Sequence, residues 1–158
     1  MNGTGDILVV EDLRESLAMM AAMLRSQGYE VRPASGGEEA LKAVSERVPE
    51  LILLDVVMPG MNGFELLNRL KSMPECSSVP VIFLSALSGP DERVEGLKLG
   101  AVDFISKPFE RDELLAKVRT HIERYQLRAA LERRTRELSR ERDLLAASEL
   151  KYRTLIEA

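Results

Sequence analysis

Short apolar runs alternate with segments of helical periodicity along the first 120 residues, and this alternation constrains the fold more than any other feature. Residues 7–10 form the first apolar run, and residues 51–54 form a second that contains no polar side chain. Repeated strand and helix units close around a parallel sheet, whose inner strands are covered on both faces. The sequence therefore predicts a doubly wound α/β fold with a five-stranded parallel sheet and helices on both faces.

The pattern also gives approximate bounds for the elements. Strands are predicted at residues 7–10, 30–34, 51–54, 81–84 and 102–105, with helices at about 13–27, 36–48, 64–72, 90–99 and from 111 onward. Gly28 and Gly100 are predicted to end helices, and the spacing of Ser35 and Glu38 is that of a capping box. No Pro or Gly occurs in residues 109–158, so we expect a domain over residues 1–124 and a long helical extension over 125–158.

Charge and cysteine content exclude several classes of function. The chain has 26 acidic and 22 basic residues, and residues 121–158 interleave nine basic with seven acidic ones. Binding to nucleic acid usually needs a concentrated basic face, so we do not expect it here. Cys76 is the single cysteine, and no apolar run approaches the roughly 20 residues that cross a bilayer. We therefore expect a cytoplasmic protein without a disulfide or a membrane span.

Polar residues stand at the carboxyl ends of four predicted strands. Glu11 and Asp12 follow the first strand, Asp55 the third, Ser85 the fourth and Lys107 the fifth. Ligands of doubly wound folds bind at this edge of the sheet. Three carboxylates in one place repel one another unless a hard cation such as Mg²⁺ neutralises them, and a lysine and a hydroxyl suit phosphoryl oxygens. The set predicts phosphoryl transfer to a carboxylate.

These residues lie in motifs that resemble the receiver domains of two-component response regulators. The resemblance covers about residues 5–124, and its motifs are Val9-Val10-Glu11-Asp12, Leu53-Leu54-Asp55-Val56-Val57-Met58-Pro59-Gly60-Met61-Asn62-Gly63, Leu84-Ser85-Ala86 and Asp103-Phe104-Ile105-Ser106-Lys107-Pro108. It implies a flavodoxin-like fold and a phosphoacceptor role for Asp55. The phosphodonor would be a phosphohistidine on a sensor histidine kinase or a phosphotransfer protein.

The resemblance also implies roles for the surrounding residues. Asp12, Asp55 and the backbone carbonyl of Val57 would ligate Mg²⁺, and Glu11 would act largely through water. Ser85 and Lys107 would hold the phosphoryl group, with the Lys107–Pro108 peptide bond in the cis form, and Ser85 and Phe104 would be the switch residues. Such a domain catalyses only its own phosphotransfer and dephosphorylation. Asp and Thr are commoner in the family where this chain has Glu11 and Ser85.

Other interpretations fit parts of the pattern. Asp12 alone could be a helix N-cap, and Lys107 alone a solvated lysine. A phosphatase of the haloacid-dehalogenase type also pairs an Asp nucleophile with Mg²⁺, but that family needs Asp-x-Asp, and Val57 occupies the second acidic position. A dimeric scaffold or DNA-bound regulator with an idle acidic pocket is a further alternative. We expect the sole histidine, His121, at a surface position on a helix.

The extension has a row of apolar residues at heptad spacing. Leu131, Leu138, Leu145 and Tyr152 recur every seven residues, whereas the row four residues earlier is mostly polar. A two-stranded coiled coil prefers both rows apolar, so we expect a weakly specified parallel homodimer. The alternative is a single solvated helix supported by pairs such as Arg128–Glu132 and Glu149–Arg153. Residues 148–158 resemble the helix that leads into a PAS domain, which implies a further output module.

Overall fold

A parallel sheet forms the centre of the computed structural model, which describes residues 4–86 and 89–157. Among these residues the sheet has five strands, β1 (Asp6–Val10), β2 (Glu30–Ala34), β3 (Leu51–Asp55), β4 (Val81–Ser85) and β5 (Asp103–Ser106). Their order is β2-β1-β3-β4-β5, and every neighbouring pair is parallel. The predicted fold class is confirmed.

The helices alternate with the strands along the chain. They are α1 (Arg14–Arg25), α2 (Gly37–Glu46), α3 (Gly63–Lys71), α4 (Pro90–Lys98) and α5 (Arg111–Glu157), with a short 3₁₀ turn at Pro74–Cys76. Gly28 and Gly100 follow α1 and α4 with φ values of 98° and 111°, a region that favours glycine. Residues 1–3 and 158, the outer ends of the two predicted regions, lie outside the described residues.

Alternate residues of each strand face opposite sides of the sheet, and helices cover both sides. Leu8, Ile52 and Phe83 belong to the core cluster that includes side chains of α2 and α3. Ile7, Leu53 and Ile105 belong to the other cluster, with side chains of α1 and the first part of α5. Because both faces are buried, the inner strands contain almost only apolar residues, and polar residues can stand only where the strands end.

The predicted capping box of Ser35 and Glu38 was wrong. The N-cap of α2 is Gly36, and Ser35 donates through both its backbone N–H and its hydroxyl to Glu39, at 2.6 and 2.8 Å, not to Glu38. The alternative role for Asp12 as an N-cap is also excluded, since Leu13 caps α1 without a side-chain bond. The Leu13 N–H donates instead to Glu11 Oε1 at 3.2 Å.

The chain divides into two units, Met1–Tyr125 and Gln126–Ala158. The second unit is helical, and its large apolar side chains, Leu131, Leu138 and Leu145 among them, are exposed. Of the ion pairs that the structure describes in this unit, one joins Arg134 to Glu137 at 3.4 Å, and neither Arg128–Glu132 nor Glu149–Arg153 is formed. None of the helices in the described part of the chain combines the length and hydropathy that a bilayer crossing requires.

Candidate functional site

An ammonium group bridges two carboxylates at the carboxyl edge of the sheet. Lys107 Nζ donates to Glu11 Oε2 at 2.5 Å and to Asp55 Oδ2 at 3.1 Å. The Glu11 side chain is 0% exposed, that of Asp55 7% and that of Lys107 20%. Residues that lie 96 and 52 positions apart in sequence thus meet in a largely buried cluster.

The backbone fixes the orientation of each partner. The Val57 N–H donates to Asp55 Oδ1 at 3.2 Å, so one carboxylate oxygen is held by the following loop and the other by Lys107. The backbone N–H of Lys107 donates to the Ser85 carbonyl at 2.8 Å, and the Lys107–Pro108 peptide bond is cis. Burial alone lowers the pKa of the Lys107 ammonium, but the hydrogen bonds to Glu11 and Asp55 raise the pKa above its ordinary value. Lys107 is therefore charged at neutral pH.

Three acids in this cluster are close enough to hold one cation. Carboxylate oxygens of Glu11, Asp12 and Asp55 all lie within 4.8 Å of one another. They are hard oxygen donors, and the single ammonium of Lys107 offsets only part of their charge, so the donor set fits Mg²⁺. The Val57 side chain is 57% exposed, and its backbone carbonyl belongs to the loop that follows Asp55.

The register of β3 and β4 places Ser85 beside Asp55. Asp55 pairs with Leu84 across β3 and β4, and the Val56 N–H donates to the Leu84 carbonyl at 3.1 Å. Ser85, the next residue of β4, is fully buried. The structure therefore brings together at one edge the residues predicted from sequence: Glu11, Asp12, Asp55, Val57, Ser85 and Lys107.

Gly63 lets the start of α3 approach the end of β3. Its N–H donates to the Val56 carbonyl at 2.8 Å. A Cβ at this position would lie 2.8 Å from Val56 Cα and 3.1 Å from the Asp55 carbonyl carbon, and closer still to the Asp55 carbonyl oxygen. This role of Gly63 was not predictable from sequence, because a glycine in such a loop is equally typical of an ordinary turn.

Comparison with known proteins agrees with this geometry. A family model described as "Response regulator receiver domain" matches residues 7–119. The chain belongs to this family. Receiver domains are the phosphorylation-linked modules of two-component systems; they bind Mg²⁺ in an acidic pocket and interact with histidine kinases or phosphotransfer proteins.

Two curated relatives and one solved structure illustrate the similarity. The response regulator PleD of Caulobacter vibrioides is 41% identical over 114 residues, which cover 72% of this chain and 25% of PleD. The phosphate regulon transcriptional regulatory protein PhoB of Rhizobium meliloti is 40% identical over 118 residues, 75% of this chain and 52% of PhoB. The receiver domain of the Francisella response regulator 1452 superposes with a TM-score of 0.72 at 32% identity, covering 76% of this chain and 98% of that one. This chain thus spans about a quarter to a half of the length of these curated relatives.

Phe104, the predicted aromatic switch residue, is buried next to Gly96 of α4. Its ring centre lies 5.7 Å from that of Phe83. The Arg93 guanidinium carbon also lies 5.7 Å from the Phe104 ring centre, and Arg93 donates to Ser106 Oγ at 2.8 Å. The buried Gly96 of α4 faces both rings, where a Cβ would lie 3.0 Å from Phe83 and 3.4 Å from Phe104. Arg93 and Gly96 therefore connect α4 to β5, and no motif in the sequence pointed to either residue.

His121 lies on a helix, as predicted, but it is partly buried rather than fully at the surface. Its side chain is only 12% exposed, and its Nε2 lies 3.0 Å from Asp103 Oδ2. The other oxygen of Asp103 accepts from the Phe104 N–H at 2.8 Å. Burial raises the pKa of Asp103, but the bonds from His121, Phe104 and Lys117 outweigh burial and hold the pKa below its usual range. His121 is thus a partner of β5.

Replacing Gly63 by Ala should destabilise the receiver domain by about 2–3 kcal/mol, because the added Cβ must displace backbone atoms at Asp55 and Val56. Urea unfolding followed by circular dichroism measures the loss. The matched control is Gly36→Ala, also at the start of a helix, where nothing lies within 4 Å of the added Cβ. Its cost should stay below about 1 kcal/mol. Equal costs for the two variants would contradict the close approach.

Proposed function

We propose that the chain is a phosphoacceptor switch that receives a phosphoryl group on Asp55 in a Mg²⁺-dependent reaction. The observation that carries the proposal is the bridge from Lys107 Nζ to the Asp55 carboxylate within a cluster of three acids. A fixed positive charge beside a carboxylate attracts an incoming phosphoryl oxygen, and the aspartate supplies the nucleophile. The Asp55 carboxylate accepts hydrogen bonds from the Val57 N–H and from Lys107, which orient it before the donor arrives.

The transfer would exchange one bond at phosphorus for another. An Asp55 carboxylate oxygen attacks the phosphorus of a phosphohistidine; the new P–O bond forms as the P–N bond breaks, and the bond electrons return to the donor imidazole. Water later cleaves the acyl phosphate and restores the carboxylate, leaving inorganic phosphate. The chain is thus a substrate of its partner kinase or phosphotransfer protein, and it catalyses only its own phosphorylation and dephosphorylation.

Several groups at the sheet edge would offset the negative charge of the phosphoryl group. Lys107 would contact one phosphoryl oxygen, and the Ser85 hydroxyl would donate to another. Bound Mg²⁺ would supply a hard positive charge that offsets both the carboxylates and the phosphoryl oxygens. Asp12, Asp55 and the Val57 carbonyl would hold the ion, with Glu11 acting largely through water.

The conformational change caused by phosphorylation would be transmitted through α4, β5 and α5. Ser85 moving towards the acyl phosphate would vacate space next to the β4 and β5 aromatic residues, and Phe104 would repack beneath α4. Such switches work when added charge biases an element that has two arrangements. Because α4 contacts β5 through Gly96 and Arg93 rather than through a broad apolar face, its position can change at small cost.

The helical unit Gln126–Ala158 would pair with a second copy and relay the change to an output module. Its exposed row of Leu131, Leu138, Leu145 and Tyr152 repeats every seven residues, which supplies one of the two apolar rows of a parallel helix pair. The resemblance of residues 148–158 to a PAS lead-in supports a module of that kind. One relative is named a response regulator and the other a transcriptional regulatory protein, so these names do not indicate one class of output module.

Two rival functions make different demands on the site. A phosphatase of the Asp-x-Asp type needs a general acid at position 57, and Val57 offers only an apolar side chain. Steady-state release of phosphate from a phosphomonoester is therefore not expected. A scaffold or DNA-bound regulator with an idle pocket would dimerise through its helix without taking up phosphate.

Asp55→Asn should abolish phosphorylation, because the amide lacks the nucleophilic carboxylate. Intact-mass measurement after incubation with Mg²⁺ and acetyl phosphate or a phosphorylated kinase should show one added phosphoryl group in the wild type and none in the variant. Chelation of Mg²⁺ should also suppress the gain in mass. Asp103→Asn, at the start of β5 and outside the acid cluster, is the matched control and should be modified. One full equivalent on Asp55→Asn would overturn the assignment.

The apolar row of the extension should form the dimer interface. Replacing Leu138 and Leu145 by Asp should weaken dimerisation at least about 100-fold, since each copy loses two side chains from the paired surface. Light scattering after size-exclusion chromatography measures the mass over a range of concentrations. The control replaces Leu144 and Leu150 by Asp. These two residues are exposed but lie outside the row, so the dimer should remain intact. A monomeric wild type at about 100 µM would contradict pairing.

A further inference from the structure

A groove lies between the turn that follows α1 and the first turns of α5, and none of its lining residues belongs to the acid cluster. Tyr29, Arg111, Leu115 and Arg119 are among the residues that line it, and we call it the α1–α5 groove. Its volume is about 280 Å³, close to the lower end of the range for small-molecule sites. The proposed phosphotransfer uses none of these residues.

Tyr29 contributes a polar atom to the groove from a side chain that is otherwise buried. The residue is 5% exposed, and it belongs to the core cluster that contains side chains of α1 and α5. In the part of the chain that the structure describes, the Tyr29 hydroxyl has no hydrogen-bond partner, whereas every fully buried side-chain oxygen there has one. The hydroxyl is therefore the part of Tyr29 that opens into the groove.

The turn after α1 fixes the direction of this hydroxyl. Gly28 has a φ of 98°, a region that favours glycine, and its N–H donates to the Arg25 carbonyl at 3.0 Å. The Tyr29 N–H donates to the Leu24 carbonyl at 3.4 Å. With its backbone held by the turn and its ring held by the core, the hydroxyl is a preorganised donor, which loses little conformational entropy when it binds a ligand.

The opposite wall of the groove is positively charged and partly apolar. Arg111, Leu115 and Arg119 recur every four residues and therefore share one face of α5. Neither arginine takes part in an ion pair among the residues that the structure describes. Asp112 also lines the groove, so two guanidinium groups and one carboxylate give the lining a net charge of +1. Leu115 packs against the core and supplies an apolar surface between the two arginines.

The Tyr29 hydroxyl keeps its proton at neutral pH. Burial raises its pKa above the ordinary value, and although Arg119 lowers this pKa, Glu123 raises it further. A neutral hydroxyl can donate a hydrogen bond, and a guanidinium group donates two in one plane. Together the two groups match the oxygens of a carboxylate.

We propose that the α1–α5 groove binds a small organic carboxylate that has an apolar body. The carboxylate accepts hydrogen bonds from the Tyr29 hydroxyl and the Arg119 guanidinium, and the apolar body lies against Leu115 and Ala116. A net charge of +1 matches a monoanion, whereas a phosphate ester carries a charge of roughly −2 and would be repelled by Asp112. The bound carboxylate joins α1 to α5, so the domain has an input that does not require phosphorylation.

The test compares three probes that share one ring and differ in their polar group. Binding of 4-fluorobenzoate to the full chain is followed by fluorine NMR, with neutral 4-fluorobenzamide and dianionic 4-fluorophenyl phosphate as comparisons. Amide chemical shifts of the nitrogen-labelled chain locate the bound probe. The variants are Tyr29→Phe, which keeps the ring, and Arg119→Gln. Arg124→Gln is the matched control, because it removes the same charge from α5 at a residue that does not line the groove.

The wild type should bind 4-fluorobenzoate with a Kd below about 1 mM. The amide should bind at least about tenfold more weakly and the phosphate ester at least about threefold more weakly. Tyr29→Phe should raise the Kd for 4-fluorobenzoate at least about threefold, and Arg119→Gln at least about tenfold, because each removes one donor to the carboxylate. Arg124→Gln should change it by less than about twofold. The amide shifts should change at residues 27–29 and 111–119.

Absence of saturation at about 10 mM 4-fluorobenzoate would overturn the proposal, as would equal affinity for the amide. Tighter binding of the phosphate ester would contradict the assignment to carboxylates. An unchanged Kd in both Tyr29→Phe and Arg119→Gln, or an equal loss in Arg124→Gln, would show that the probe binds elsewhere. The shift map of the wild type decides the location without any variant, since changes confined to other residues would also overturn the proposal.

Discussion

The bridge made by the Lys107 ammonium is the interaction on which the site depends, because it joins the carboxylates of Glu11, after β1, and Asp55, at the end of β3, to the end of β5. Without a positive charge between them, the nearly buried carboxylates of Glu11 and Asp55 would repel each other and each would lack the solvation it loses on folding. Backbone contacts at Ser85, Val57 and Gly63 then fix the loops from which these groups project. In the proposed function the same charge would receive a phosphoryl oxygen, so one contact would serve both folding and phosphotransfer.

The opposite edge of the sheet shows what a purely structural acid looks like in this protein. Asp6, buried at the start of β1, accepts hydrogen bonds from the guanidinium groups of Arg32 and Arg47 at 3.1–3.2 Å. Arg47 also pairs with Glu30 at 3.4 Å, so two acids there have two cations, whereas the cluster of three acids at the carboxyl edge has the one ammonium of Lys107 among its described ion pairs. In a stable ion-pair network the acidic and basic groups neutralise each other, whereas a site for a divalent cation has an excess of acidic groups. The excess of negative charge therefore distinguishes the functional edge from the structural one.

The sequence predicted the sheet and the set of residues at its edge because both follow from local pattern. Uninterrupted apolar strands leave polar groups only at strand ends, and parallel strands place those ends together. Features that depend on tertiary contact were not predictable: Glu39 rather than Glu38 reaches Ser35, His121 is drawn against Asp103, and Arg93 lies over Phe104. The tightness of the Gly63 approach likewise becomes visible only when distant segments pack.

A crystal structure with Mg²⁺ and beryllium fluoride, a mimic of the phosphoryl group, tests the central claim most directly. Beryllium should be bonded to an Asp55 carboxylate oxygen, the Lys107 ammonium should contact one fluorine, and Mg²⁺ should lie within the acid cluster. Beryllium fluoride bound to another side chain, or Lys107 directed away from the adduct, would contradict it.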